Sequence, residues 1–133
     1  MIAGFGLDLV EVGRLERLLG GPLGARFVAR VFTPAERDYC DDHPAARAVH
    51  YAGRFAAKEA MVKALGAPPG LTWQDMEVQS GGPPRLCTSG RCAEVLAERQ
   101  IESVHLSLSH DGGMAVAAVV LERGGGQRRG PGR

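Results

Sequence analysis

Three side chains stand out in this 133-residue sequence because their types do not suit their surroundings. Asp8 interrupts the apolar run from Ile2 to Val10. Glu59 lies in a mid-chain stretch where Phe55, Ala56 and Val62, three or four residues away, are apolar. A carboxylate in such company needs a partner charge or a metal ion to stay ionised. His110 ends an alternating segment just ahead of Asp111-Gly112-Gly113, where a ring can reach solvent or a ligand. Each position also has a structural explanation. Asp8-Leu9-Val10-Glu11 matches a capping box, worth about 0.5–2 kcal/mol to a following helix. Glu59 and Lys63 are spaced for a helical ion pair, worth about 0.3–0.5 kcal/mol on an exposed face. His110 could bond to the backbone of its own turn. Residue types alone leave both readings open at all three positions.

Spacing excludes other chemistries. Ser109, His110 and Asp111 are consecutive, and neighbours on a strand point to opposite faces, so they cannot relay a proton as a hydrolase triad does. No G-x-S-x-G elbow presents a serine. Gly4-Phe5-Gly6 lacks the third glycine of a dinucleotide loop, and no G-x-x-x-x-G-K occurs. Any phosphate must therefore be held by a metal and by basic side chains. Arg54, Lys58 and Lys63 lie on or beside the Glu59 stretch. Of these, Lys58 is expected on the solvated rim of the helix.

The elements that would position these residues follow from periodicity. Residues 2–10 read as a buried strand with Gly4, Gly6 and Asp8 on one face and Phe5, Leu7 and Leu9 on the other. The Asp8 face is bare at both glycines, so another backbone or a ligand can approach it closely. A helix is expected over residues 11–19, with Leu15 inward, Arg14 and Arg17 outward, and Gly20-Gly21-Pro22 ending it. Phe27, Val28, Val31 and Phe32 form a second helical patch. Thr33-Pro34-Ala35-Glu36 spells the cap of a short third helix. Residues 47–65 form the longest helix, with a wide face of small residues (Ala52, Gly53, Ala56, Ala57, Ala60, Ala64) suited to tight packing. Strands are expected at 71–78 and 85–88, a helix at 91–100, and a closing hairpin of 104–109 and 114–121. The order predicts a single α+β domain over residues 1–122, with an antiparallel sheet packed against a long central helix.

Composition narrows the class. Hydrophobic residues make up 44% of the chain, enough for one core. The three cysteines form no CxxC pair, which argues against a disulfide framework or zinc knuckle and for a reducing, cytoplasmic setting. No stretch approaches the ~20 apolar residues of a membrane span, and no basic leader precedes the first apolar run. Sixteen basic residues face fifteen acidic ones, but Arg123, Arg128, Arg129 and Arg133 fall in the last eleven positions. Residues 1–122 thus carry a net charge of −3, and aromatic residues are only 5% of the chain, so the body is no nucleic-acid platform. The Gly/Arg-rich tail, residues 123–133, is expected to be disordered.

Three segments occur together in one order: Gly4-Phe5-Gly6-Leu7-Asp8-Leu9-Val10-Glu11-Val12, then Arg54-Phe55-Ala56-Ala57-Lys58-Glu59-Ala60 with Lys63-Ala64-Leu65-Gly66, then Leu106-Ser107-Leu108-Ser109-His110-Asp111. With Phe32-Thr33-Pro34-Ala35-Glu36 they resemble the holo-[acyl-carrier-protein] synthase family, the small type of phosphopantetheinyl transferase, across residues 1 to about 122. The resemblance implies transfer of phosphopantetheine from coenzyme A to a serine of apo acyl carrier protein, in support of fatty acid biosynthesis. It implies Mg²⁺ held by Asp8 and Glu59, catalytic roles for Glu59 and Lys63, and coenzyme phosphates approached by Arg54, Lys63 and His110. It further implies a homotrimer with coenzyme between subunits, and docking of the acidic carrier on Arg14 and Arg17. Two carboxylates ~4 Å apart repel by about 4 kcal/mol at an effective dielectric of 20, so a shared cation suits them. The general base stays open between Glu59 and a metal-bound water.

Two rivals keep the same elements. One is a non-catalytic nucleotide- or protein-binding module in which Asp8 is a cap and Glu59 an ion-pair partner. The other is a different Mg²⁺-dependent transferase or hydrolase acting on a nucleotide diphosphate.

Overall fold

The computed structural model describes residues 1–124. Its first strand, β1 (Ile2–Glu11), lies at one edge of a three-stranded antiparallel sheet with order β1-β5-β4, where β4 spans Ile101–Asp111 and β5 spans Met114–Arg123. Across this sheet, Gly6 pairs with Val119, Asp8 with Ala117 and Val10 with Ala115. On the other side of β5, Leu108 pairs with Ala117 and His110 with Ala115. The inner face of the sheet packs against α4 (Arg47–Leu65), whose Ala56, Ala57 and Ala60 are fully buried.

The contact between β1 and α4 is set by missing side chains. A Cβ on Gly6 would collide with the carbonyl oxygen of Ala60 and stand 2.8 Å from the amide nitrogen of Ala64. One on Gly4 would collide with the carbonyl oxygen of Ala64. The bare strand face anticipated from the sequence therefore receives the helix backbone itself. Gly6→Ala is expected to push strand and helix apart at a cost of about 1–3 kcal/mol, read as a lower Tm. A variant melting like the parent would show that the two layers do not need this approach.

The remaining helices wrap one end. After β1 come α1 (Val12–Leu19), α2 (Gly24–Val31) and α3 (Pro34–Asp41). Thr33 caps α3 with the expected box: its hydroxyl accepts from the Glu36 amide at 3.3 Å, and Glu36 accepts from the Thr33 amide at 2.9 Å. A short 3-10 turn at Pro44–Ala46 leads into α4, and Gly66 in the left-handed region closes it. A small hairpin of β2 (Met76–Gln79) and β3 (Arg85–Thr88) and helix α5 (Gly90–Glu98) complete the chain. The strand anticipated from Leu71 begins only at Met76, because Trp73–Asp75 form a 3-10 turn.

Two ends of the sheet differ from the sequence expectation. β4 starts at Ile101 and runs to Asp111, and β5 continues through Arg123, which donates its amide to the Met1 carbonyl at 2.7 Å. Arg123 is thus part of the sheet, not of the tail. Residues 125–133 of the anticipated disordered tail lie outside the described residues.

The outer face of the sheet is apolar and uncovered in the single chain. Phe5, Leu7 and Leu9 are 60%, 48% and 60% exposed. Their β5 partners, Val120, Ala118 and Val116, extend the same face. Among the described residues no helix is long and apolar enough to cross a membrane.

Candidate active site

Asp8 is a residue of the strand interior. β1 continues to Glu11, α1 begins at Val12, and the residue at the cap, Glu11, makes no side-chain capping bond. The capping reading of Asp8 therefore fails, because the chain is still paired with β5 three residues further on. Period two points Asp8 to the same face as Gly4 and Gly6, toward α4. There Lys63 donates to its carboxylate at 2.9 Å and to the Leu7 carbonyl at 3.1 Å.

Glu59 lies one helical turn before Lys63, yet Lys63 forms its ion pair with Asp8. The local Glu59–Lys63 pair is replaced by one that joins helix to strand. Burial pushes the Glu59 carboxyl above its ordinary range; the negative charge of Asp8 adds to this, and Lys63 opposes it. Lys63 is held above its usual value by the hydrogen bond to Asp8 and then by that carboxylate's charge. Asp8 and Glu59 line one cleft of about 390 Å³ together with Arg14, Leu15, Leu18 and Phe55. Among the described residues no group of three or more His, Cys, Asp or Glu is arranged to hold a metal. Two acids in an open cleft instead suit a hard ion that keeps waters and takes further oxygens from a bound phosphate.

Arg54 and His110 stand elsewhere. They line a separate cleft of about 100 Å³ with Val49, His50, Gly53 and Leu108. The reason is helical geometry. His50 and Glu59 are nine residues apart, two and a half turns at 3.6 residues per turn, so they leave α4 on opposite flanks. Arg54, five residues from Glu59, is likewise turned away from it. The sheet separates the groups too: Asp8 is on β1 and His110 on β4, with β5 between. The anticipated coenzyme-phosphate residues thus fall into two sets within one chain, Lys63 with the acids and Arg54 with His110.

Arg54 is only 5% exposed. It donates to the His50 carbonyl at 3.3 Å and to the Ser80 hydroxyl, and its guanidinium lies 4.4 Å from the centroid of Tyr39. Its Nε has no partner among the described residues. Arg14 and Arg17 are exposed on α1; Arg14 borders the acid cleft, and Arg17 pairs with Glu11 at 3.6 Å.

Lys58 corrects the sequence expectation outright. It is fully buried, paired with Glu36 at 2.6 Å, and donates to the carbonyls of Val31 at 2.7 Å and Trp73 at 3.2 Å. Glu36 in turn accepts from the Val78 amide at 2.7 Å. Burial lowers the Lys58 pKa, and the facing carboxylate offsets part of that. Of the cysteines, burial raises Cys40 to about 12 and Cys92 to about 11, so neither is a thiolate at neutral pH.

Comparison with known proteins shows the family and the fold. A family model described as the 4'-phosphopantetheinyl transferase superfamily matches residues 4–119. The holo-[acyl-carrier-protein] synthase of Anaeromyxobacter dehalogenans strain 2CP-C is 55% identical over 128 residues, covering 94% of this chain and 99% of its own. That of Myxococcus xanthus strain DK1622 is 49% identical over 125 residues, covering 93% and 98%. The crystal structure of the Neisseria meningitidis enzyme superposes with a TM-score of 0.79 at 31% identity, covering 92% of this chain and all of that one. The Helicobacter pylori enzyme, in complex with coenzyme A, gives 0.75 at 31% identity, with 89% and 99% covered.

Proposed function

The chain belongs to the 4'-phosphopantetheinyl transferase superfamily, and on that basis we propose that it is a holo-[acyl-carrier-protein] synthase, moving phosphopantetheine from coenzyme A to a serine of apo acyl carrier protein. The observation that carries the mechanism is the convergence of Asp8, Glu59 and Lys63, from strand and helix, on one side of α4.

The two acids fit Mg²⁺, which they would hold between them with substrate phosphate oxygens and water. When bound, the ion polarises the diphosphate and stabilises charge on the transferring group. Glu59, in the same cleft, accepts the proton of the attacking serine hydroxyl. The serine oxygen bonds to the phosphorus that carries pantetheine. The bond from that phosphorus to the bridging oxygen breaks, and adenosine 3',5'-bisphosphate leaves. Lys63, 56% exposed at its side chain, can leave Asp8 and place its charge where the leaving phosphate becomes more negative.

Arg54 and His110 lie on the wrong flank of α4 to serve the same coenzyme molecule from within one chain. They instead hold the coenzyme bound at a neighbouring copy's acids. The uncovered apolar face of β1 and β5 supplies a surface for such an assembly, which we take to be a homotrimer. The setting proposed is cytoplasmic fatty acid biosynthesis.

The test is to incubate the protein with Mg²⁺, coenzyme A and apo carrier protein and to weigh the carrier. A gain of one phosphopantetheine is expected. No gain at any Mg²⁺ level, with a competent carrier, would favour a binding module; coenzyme breakdown without carrier modification would favour a different nucleotide-diphosphate enzyme.

Arg14 is exposed and lines the acid cleft, which supports a part for it in docking an acidic carrier. Arg14→Glu is expected to raise KM for carrier about five- to tenfold while leaving KM for coenzyme A unchanged, with the effect shrinking as salt rises. Equal effects on both substrates would remove Arg14 from the docking surface.

A further inference from the structure

The cation beside Asp8 is supplied by the chain itself. Lys63 places its ammonium 2.9 Å from the Asp8 carboxylate and 3.1 Å from the Leu7 carbonyl. The two side chains differ in freedom, Asp8 being 12% exposed and Lys63 56%. Asp8 is fixed within a strand that pairs with β5 from Gly4 to Glu11. Lys63 reaches it from α4 on a half-exposed stem and can swing away without disturbing the core. Among the described residues Glu59 has no ion pair. One acid of the cleft is therefore taken and the other is not.

An ammonium carries three protons, and Asp8 and Leu7 accept two of them. A divalent ion set between Asp8 and Glu59 would stand against that ammonium, and like charges so close cannot share one carboxylate. Lys63 must therefore leave before Asp8 can take the ion. On leaving it needs another anion, and a diphosphate lying beside the acids offers one.

We propose that Lys63 is a latch on the metal site: in the free protein it occupies Asp8 in place of a divalent cation, and the coenzyme diphosphate draws it off. Ion and coenzyme are then bound as a pair, each raising the affinity for the other by the same factor. This rests on the reading that Asp8 and Glu59 hold the ion beside the diphosphate. Direct ligation of the ion by phosphate also couples the two ligands. Only the latch makes the ion alone bind worse than the two acids by themselves allow. The cleft thus stays without its divalent ion until there is coenzyme to act on.

The experiment counts free Mn²⁺, a hard divalent ion with a paramagnetic signal, in titrations of the full chain with and without coenzyme A. A titration of coenzyme alone subtracts the ion it holds off the protein. The parent should bind Mn²⁺ weakly by itself and at least about tenfold more tightly with coenzyme. Lys63→Met removes the latch and should bind Mn²⁺ alone about five- to tenfold more tightly than the parent, with the gain from coenzyme reduced by the same factor. Lys63→Gln should behave alike while keeping a donor for Asp8 and the Leu7 carbonyl, and it decides the matter if the methionine variant does not fold. Lys63→Arg keeps the charge and should stay as weak as the parent. A lysine that only contacts phosphate predicts unchanged Mn²⁺ affinity without coenzyme in both neutral variants. That result would overturn the latch and leave the metal site standing. No Mn²⁺ bound by parent or variants, with or without coenzyme, would remove the metal reading and the latch together.

Discussion

Replacing Glu59 by glutamine is expected to lower the transfer rate by about 10²- to 10⁴-fold, the range for removing a general base, while leaving Tm in chelator unchanged or slightly higher. The two parts have one cause. Burial and the Asp8 charge hold the Glu59 carboxyl above its unfolded value, so ionising it costs folding free energy. That penalty is fully present above the folded pKa and is relieved as pH falls through it toward the unfolded value of about 4.3. Glutamine removes the penalty along with the function. The parent should therefore gain stability over that window on acidification, and the variant should gain less. A variant that loses activity and several degrees of Tm together would mark Glu59 as structural.

Replacing Lys58 by methionine is expected to cost about 3–5 kcal/mol, a large part of the roughly 5–15 kcal/mol that holds a domain together. The side chain is not a surface charge with a weak pair. It is fully enclosed, and its removal leaves the Glu36 carboxylate buried without its cation and takes a donor from the Val31 carbonyl and one of two from the Trp73 carbonyl, which keeps the Met76 amide. Those groups belong to α2, α3 and the turn before β2, so one ammonium ties three segments to α4. Chemical denaturation should show a lower midpoint with an unchanged slope. Adding Glu36→Gln should recover part of the loss, because the stranded charge is then gone. A single variant within 1 kcal/mol of the parent would mean that the pair is dispensable.

Much of the scaffold was legible because it depends on local signals. The Thr33–Glu36 box, the Gly66 stop and the bare face of β1 each announce themselves within four residues. Asp8 and Glu59 were visible as charges in apolar company, but which alternative held depended on where β1 ended, a boundary that sequence marks poorly. Lys58 was misread because charge was weighted above phase. Tyr51, Arg54, Met61 and Leu65 lie seven, four, three and seven residues away, all on the buried side of α4, and that pattern signals an interior position. The division of the phosphate residues between two flanks was recoverable from the nine-residue offset along α4. The Asp8–Lys63 pair carried no signal of its own, since its members come from β1 and α4 and meet only in three dimensions.

Because Gly4 and Gly6 touch α4 through main-chain atoms, the offset between Asp8 and Glu59 is a property of peptide geometry. Side-chain volume hardly enters it. Repacking elsewhere in the core can soften or stiffen the molecule while the two acids keep their alignment, so durability and turnover can be tuned apart. The exceptions are the two glycines themselves, where a single added methyl group would disturb both at once.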